Sequence, residues 1–356
     1  MYDIKITKAQ ELKQKPADES KLGFGKIFTD HMLLIDYNEG IGWHDARIVP
    51  FGNLSLHPAS TVLHYSQEIF EGAKCYRTDK GMNLFRIRDN FARLNRSAER
   101  MGMATIPVEL CMESLLKLLS VDKEWTPHKE GTSLYIRPTM IATEPYLGVS
   151  ASDRYLYYVL LSPSGAYYAS GLAPVGIYVE DEHVRAVRGG VGTAKTGGNY
   201  SASILAGVKA KKLGYAQVLW LDGVEQRYVE EVGAMNMMFV YEGKTIVTPK
   251  LNGSILSGIT RDSTLKLAKY LGYEAEEKRI AIDDVIADAK SGKITEAFGT
   301  GTAAVISPVN KIFFKGEEVF IGDNSIGPVS RKLYDTLTGI QFGKLEDPFN
   351  WITPVP

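Results

Sequence analysis

Five glycines surround a single lysine in Gly189-Gly190-Val191-Gly192-Thr193-Ala194-Lys195-Thr196-Gly197-Gly198-Asn199-Tyr200, the most telling stretch of the 356-residue chain. Glycine lacks a Cβ, so such a segment can take dihedrals closed to other residues and can approach a ligand closely, at an entropic cost that needs a reason. A helix pattern follows near 200–213, ended by Gly214 after Lys211 and Lys212, whose charges complement its C-terminal end. The lone lysine at the centre reads as a chemical group.

Two chemistries suit a lysine on a glycine loop. A phosphate-binding P-loop needs glycine before the lysine, and residues 189–196 depart from that pattern only at Ala194. Gln217-Val218-Leu219-Trp220-Leu221-Asp222 even imitates the apolar strand whose terminal Asp holds magnesium. The context opposes this reading, because a P-loop follows a buried strand, whereas 183–188 alternates polar and apolar as a half-exposed strand does. The second chemistry is a Schiff base with the aldehyde of pyridoxal phosphate, which requires a carboxylate for the pyridine nitrogen and a cup for the phosphate. Tyr228-Val229-Glu230-Glu231-Val232 sets acids in an apolar run, where a carboxylate needs a cationic partner. Leu256-Ser257-Gly258-Ile259-Thr260-Arg261 opens a helix whose first amides suit a phosphate, and 299–304 is a small-residue turn suited to donating amides.

At these residues the chain resembles the fold-type IV pyridoxal-phosphate enzymes, and within them the branched-chain amino acid aminotransferases. Phe28-Thr29-Asp30-His31-Met32, Leu56-His57-Pro58-Ala59, Leu63-His64-Tyr65, Phe70-Glu71-Gly72, Tyr135-Ile136-Arg137-Pro138, Gly165-Ala166-Tyr167, Lys195-Thr196-Gly197-Gly198-Asn199-Tyr200, Glu231-Val232-Gly233-Ala234-Met235-Asn236 and Gly299-Thr300-Gly301-Thr302-Ala303 stand in the family's order. One such motif is weak, but nine in order are specific. The resemblance implies an α+β, two-domain enzyme of the D-amino acid aminotransferase-like fold, with a smaller N-terminal α/β domain and a larger C-terminal domain holding a barrel-like sheet and helices. It further implies ping-pong exchange of amino groups between leucine, isoleucine or valine and 2-oxoglutarate, giving branched 2-oxo acids and glutamate. A D-amino acid aminotransferase or an aminodeoxychorismate lyase would share the lysine and the glutamate but not the substrate pocket.

By the same resemblance, Lys195 would bond the cofactor's aldehyde and carry the proton between the substrate's Cα and the cofactor's C4′. Glu231 would face the pyridine nitrogen; strand alternation admits only one of Glu230 and Glu231, and the family register selects the second. Tyr200 would donate to the phenolic oxygen. Arg93, Arg185, Ile259, Thr260 and Thr302 would hold the phosphate, guanidinium forks being well matched to its oxygens. Phe70, Tyr135 and Tyr167 would wall the substrate's side chain, Tyr65 with the amides of Thr302 and Ala303 would hold its α-carboxylate, and Arg137 would pair with the side-chain carboxylate of glutamate. Taken alone, Arg93 belongs to an arginine-rich helix near 89–101 and reads as part of a solvated face. Animal relatives carry a redox-active Cys-x-x-Cys where Ala304 and Ser307 stand here, and a threonine in place of Ala234, so that redox control is not expected.

Composition bounds the rest. With 41 basic and 42 acidic residues and no basic tract, nucleic acid is not an expected partner. Cys75 and Cys111 are too few for a disulfide framework, and no run of about 18 apolar residues occurs, so a cytoplasmic protein without membrane contact is expected. His57 and His64 lack the neighbours of a metal site, and no metal is expected. The apolar run at 154–161 reads as a buried strand, and the turn-rich sequence after it places the domains at 1–164 and 175–356 with a linker at 165–174. Helices are expected near 110–120, 260–271, 281–290 and 329–338, with strands near 216–222, 227–232, 235–241 and 244–248. Relatives of this fold pair as dimers, so a homodimer acting on small-molecule substrates is the expected state.

Overall fold

The computed structural model describes residues 2–165 and 172–356. The chain divides into two compact units, one made of Met1–Ala169, Ala194–Gly197 and Ile340–Pro356, the other of Ser170–Thr193 and Gly198–Gly339. Tyr167 and most of the expected linker, 165–174, lie outside the described residues. Two segments cross against expectation. The tetrapeptide carrying Lys195 belongs to the first unit, and so does the C-terminal stretch, because Ile352–Val355 pairs antiparallel with Gly81–Phe85. These additions make the first unit the larger, reversing the expected size order.

The first unit is built on a sheet whose strands run Lys5–Ile6, Gly42–Pro50, His31–Asn38, Arg154–Ser164, Ser133–Ala142, Ala73–Thr78, Gly81–Phe85 and Ile352–Val355, with Glu68–Phe70 also on Ser133–Ala142. Strand period two sorts its faces. From Ser133–Ala142, Leu134, Ile136, Met140 and Ala142 enter the main core, while Tyr135, Arg137 and Thr139 project from the opposite face. Helices Ile87–Arg100 and Val108–Val121 cover the core face. Ile87, Phe91, Leu94 and Ala98 supply the apolar stripe of the first, and a neighbouring row, Asn90, Arg93 and Ser97, is buried as well.

The second unit closes a six-strand ring in the order Val229–Val232, Gln217–Leu221, Val175–Glu180, Val305–Phe314, Ile294–Gly301 and Met235–Tyr241, the last pairing back to the first. Thr245–Pro249, Glu274–Lys278 and Glu317–Phe320 extend it. This is the barrel-like sheet anticipated from the resemblance. Three local expectations change. Residues 183–188 form no strand but an irregular segment. The helix expected near 200–213 is broken at 202–203 into Gly197–Ser201 and Ile204–Lys212, with Gly214 at φ +87° just past the end. Gly299 to Gly301 end the strand Ile294–Gly301, so only 302–304 is a turn.

The docking of the C-terminal stretch rests on Trp351, which stacks on Phe349 at 4.1 Å, meets Phe85 edge-on at 5.5 Å, and accepts the Arg86 N–H at its carbonyl, 2.8 Å away. Trp351→Ala is expected to cost about 3–5 kcal/mol, read as a lowered urea midpoint with an unchanged slope.

Candidate active site

Lys195 is held through its own backbone. Its N–H donates to Ser97 Oγ at 3.0 Å on the helix Ile87–Arg100, and its carbonyl accepts from the Phe70 N–H at 3.0 Å on the strand Glu68–Phe70. Thr196 Oγ1 donates to the Glu68 carbonyl at 2.6 Å, and the Gly197 N–H reaches the Glu68 carboxylate. A Cβ at Gly197 would collide with that carboxylate, so a larger residue there would displace the Glu68 side chain. The Lys195 ammonium lies 4.6 Å from the centre of the Phe70 ring.

The face that carries Phe70 also carries Tyr135 and Arg137. The Arg137 guanidinium sits 4.8 Å over the Phe70 ring and 5.3 Å over the Tyr135 ring, and its Nη2 donates to the Tyr135 hydroxyl at 3.0 Å. Gly72 makes room for that hydroxyl, since a Cβ there would overlap it. Three of the expected substrate residues are thus assembled on one sheet face beside the lysine. Tyr65, expected at the α-carboxylate, is exposed, and its hydroxyl donates to the Leu147 carbonyl. His57 and His64 make local contacts only, with the Ala59 N–H and the Pro58 carbonyl.

Arg93 is not part of a solvated face. It is buried, donating from Nε and Nη2 to the two oxygens of Glu71 at 2.7 and 2.8 Å, and Asn90 Nδ2 adds a third bond at 2.8 Å. Burial would raise the Glu71 carboxyl, but the Arg93 guanidinium, with smaller help from Lys195 and Asn90, holds it below the usual range.

In the second unit, Glu231 and Glu230 divide as alternation requires. Glu230 accepts from Asn252 at 2.8 Å and from the Ser254 hydroxyl. Glu231 pairs with Arg185, whose Nη2 also donates to the Ser254 carbonyl at 3.0 Å. The Arg185 guanidinium, expected at the phosphate, thus also supplies the cation that a buried acid needs. Asn236 Nδ2 bridges Glu231 Oε1 at 3.3 Å and the Leu256 carbonyl at 2.9 Å, tying the acid to the segment that leads into Ile259–Tyr270. That helix has no side-chain cap at Gly258, and a Cβ on Gly258 would strike Asn236. Ile259 and Thr260 open its first turn. Thr302 and Ala303 occupy the turn before Val305, which takes φ +62°, an uncommon and costly choice for a β-branched residue. Tyr200 lies in Gly197–Ser201.

The P-loop reading finds no support. The irregular 183–188 is not a buried strand, and the helix after Lys195 spans only Gly197–Ser201. Asp222 spends both oxygens on the backbone N–H groups of Val224, Glu225, Arg227 and Tyr228 at 2.8–3.2 Å.

Residues 68–312 match the family model described as amino-transferase class IV. The chain belongs to the class IV aminotransferases. It is 55% identical over 354 residues to branched-chain-amino-acid transaminase 1 of Bacillus subtilis (strain 168), covering 99% of each chain. It is 48% identical over 335 residues to a branched-chain-amino-acid aminotransferase of Mycolicibacterium smegmatis, covering 93% of this chain and 91% of that one. Among solved structures it resembles the branched-chain amino acid aminotransferase of Escherichia coli, with a TM-score of 0.77 at 28% identity over 92% of this chain and 99% of that one. The branched-chain aminotransferase of Thermoproteus uzoniensis, solved with norvaline, matches with a TM-score of 0.75, at 28% identity over 91% of this chain and 100% of that one.

Class IV aminotransferases use pyridoxal phosphate, and the residues here fit it. A buried carboxylate held by Arg185 suits a protonated ring nitrogen, the uncapped helix start at Gly258 suits a phosphate, and Thr300 Oγ1 is buried without a hydrogen-bond partner. Glu71 stands in one of the family motifs with no role legible there, and its partnership with Arg93 is signalled only by the helical i, i+3, i+7 spacing of Asn90, Arg93 and Ser97. Asn236 likewise sits in a motif without a legible role. Glu68 has no sequence signal.

Glu71→Gln leaves the buried Arg93 without its counter-charge and is expected to cost about 3–5 kcal/mol at neutral pH. Because the folded-state pKa of Glu71 is depressed, its contribution is present above the unfolded value of about 4.3 and is lost as pH falls below it. The gap between wild type and variant in denaturant midpoint should therefore shrink as the pH is lowered below about 4.3.

Proposed function

We propose that the chain exchanges amino groups between branched-chain L-amino acids and 2-oxoglutarate, using pyridoxal phosphate and Lys195. The observation that carries this reading is the sheet face beside Lys195, where the apolar walls of Phe70 and Tyr135 enclose one guanidinium, Arg137. A branched side chain needs the walls and glutamate needs the cation. A hydrophobic pocket distinguishes neighbouring aliphatic side chains by only about 1–3 kcal/mol per methylene, so leucine, isoleucine and valine all enter.

Each residue has a defined task. Pyridoxal phosphate supplies the electron sink that stabilises the charge left when the substrate's Cα loses its proton. Lys195 would hold the cofactor through its amine and, when free, would carry the proton to and from the substrate's Cα. Glu231 would face the ring nitrogen and favour its protonated form, with Arg185 holding the Glu231 side chain in place. Tyr200, by the resemblance, would be the donor to the phenolic oxygen. Ile259, Thr260 and Thr302 would hold the phosphate, as would Arg185 and Arg93, the latter oriented by Glu71. By the resemblance, Tyr65, Thr302 and Ala303 would receive the substrate's α-carboxylate, and Tyr167, which lies outside the described residues, would add to the apolar wall.

The homodimer belongs to this proposal too. In the first unit, Leu63 and Tyr65 on the helix Thr61–Tyr65 and Tyr146, Leu147 and Val149 are all exposed, a contiguous apolar surface joined by the Tyr65 hydroxyl bond to Leu147. Such a patch suits a partner of the same kind. Cys75 and Cys111 are free and buried, in keeping with a reducing, cytoplasmic setting, and among the described residues no helix is long and apolar enough to cross a membrane.

Freshly purified protein should be yellow, and L-leucine should shift its visible band while D-alanine leaves it unchanged. Lys195→Ala should lose the response to L-leucine and at least about 10³-fold in turnover. A colourless protein that binds ATP in a magnesium-dependent manner would refute the reading. In sedimentation velocity the protein should run as a dimer, and Leu147→Asp should move it towards monomer.

A further inference from the structure

One charged group on the substrate face, Glu68, has no task in the reaction as described. The strand Glu68–Phe70 pairs with Ser133–Ala142 in the register Glu68 to Ile141 and Phe70 to Thr139, so Glu68 projects from the face that carries Phe70, Tyr135 and Arg137. Burial raises its carboxyl above the usual range, opposed by the Arg137 charge and by the Gly197 N–H. Arg137 is within electrostatic reach of Glu68, yet among the described residues no carboxylate is in ion-pair contact with Arg137, and its Nε is buried without an acceptor.

A pocket that alternates between leucine and glutamate faces an electrostatic conflict. With glutamate bound, the guanidinium has a partner. With leucine bound, the same guanidinium would face hydrocarbon, and an uncompensated cation there is costly. A resident carboxylate in direct contact would relieve that cost but would compete with glutamate for the guanidinium. A carboxylate close enough to lower the potential and too far to occupy the donor nitrogens meets both needs.

We propose that Glu68 is a standing counter-charge for Arg137, which lets one pocket accept an uncharged branched side chain and a side-chain carboxylate in alternation. This rests on the assignment of Arg137 to glutamate's side-chain carboxylate made above. Glu68 is a positioning and specificity residue, acting on substrate through Arg137. Its contact with the Gly197 N–H gives it a structural part as well, which the test must separate.

The test uses the holoenzyme. Glu68→Gln keeps an oxygen for the Gly197 N–H and removes the charge, and Glu68→Asp keeps the charge. The two half-reactions, with L-leucine and with L-glutamate, are followed separately at the visible band, and the unreactive 4-methylvalerate and glutarate are titrated at equilibrium. In Glu68→Gln the ratio of kcat/KM for leucine to that for glutamate should fall about tenfold, with glutarate binding tighter and 4-methylvalerate weaker, while Glu68→Asp stays near the wild-type ratio. A parallel fall in both half-reactions, an unchanged ratio, or a shift towards leucine would overturn the proposal. If Glu68→Gln does not fold, a Glu68→Asp ratio displaced as far as that of Arg137→Gln would also overturn it. Arg137→Gln serves as the control: if it leaves glutamate and glutarate unaffected, the assignment of Arg137 itself fails, a result distinct from a failure at Glu68 alone.

Discussion

A lysine that is to bond an aldehyde, let go, and then move a proton, the role proposed for Lys195, is useful only if its backbone does not move with it. Here the constraint is a set of hydrogen bonds around one tetrapeptide: the Lys195 N–H to Ser97, its carbonyl to the Phe70 N–H, and Thr196 and Gly197 to Glu68. Each is worth about 0.5–1.5 kcal/mol net, modest for stability. Their combined effect is positional. Fixing both backbone groups of Lys195 leaves its side chain as the remaining freedom, the kind of preorganisation that converts binding into rate.

The same period-two logic arranges both units. In the first, Ser133–Ala142 turns alternate residues into the core and onto the face with Phe70, so the walls proposed for the pocket are the outward half of a strand whose inward half holds the fold together. In the second, adjacent acids separate: Glu230 is satisfied by Asn252 and Ser254, and Glu231 is left for Arg185 and Asn236. Chemistry and packing are carried by alternate residues of the same strands, so a one-residue slip would exchange them.

Much of this is legible in the sequence because the signals are local. The glycines around Lys195, the apolar strands and the helix starting after Gly258 each depend on neighbours within a few residues. What escapes depends on distant partners. Arg93 reads as one of several arginines on a polar face, and only the fold brings it to Glu71, 22 positions away. Guanidinium suits phosphate, which is why Arg185 reads as a phosphate ligand, but its pairing with a buried acid 46 residues later is not legible in either segment. Ile352–Val355 carries no mark of which sheet it joins, and pairing across more than 260 residues cannot be read from pattern alone. Residues 183–188 alternate like a strand, yet pattern without a pairing edge makes none.

The central claim is that the amine of residue 195 is the cofactor's covalent anchor. Borohydride reduction of the resting enzyme followed by proteolysis and mass spectrometry of the peptides reads this directly. The account predicts one phosphopyridoxyl adduct, on the peptide containing Lys195 and localised to that side chain. An adduct on another lysine, or no adduct on protein saturated with pyridoxal phosphate, would contradict it.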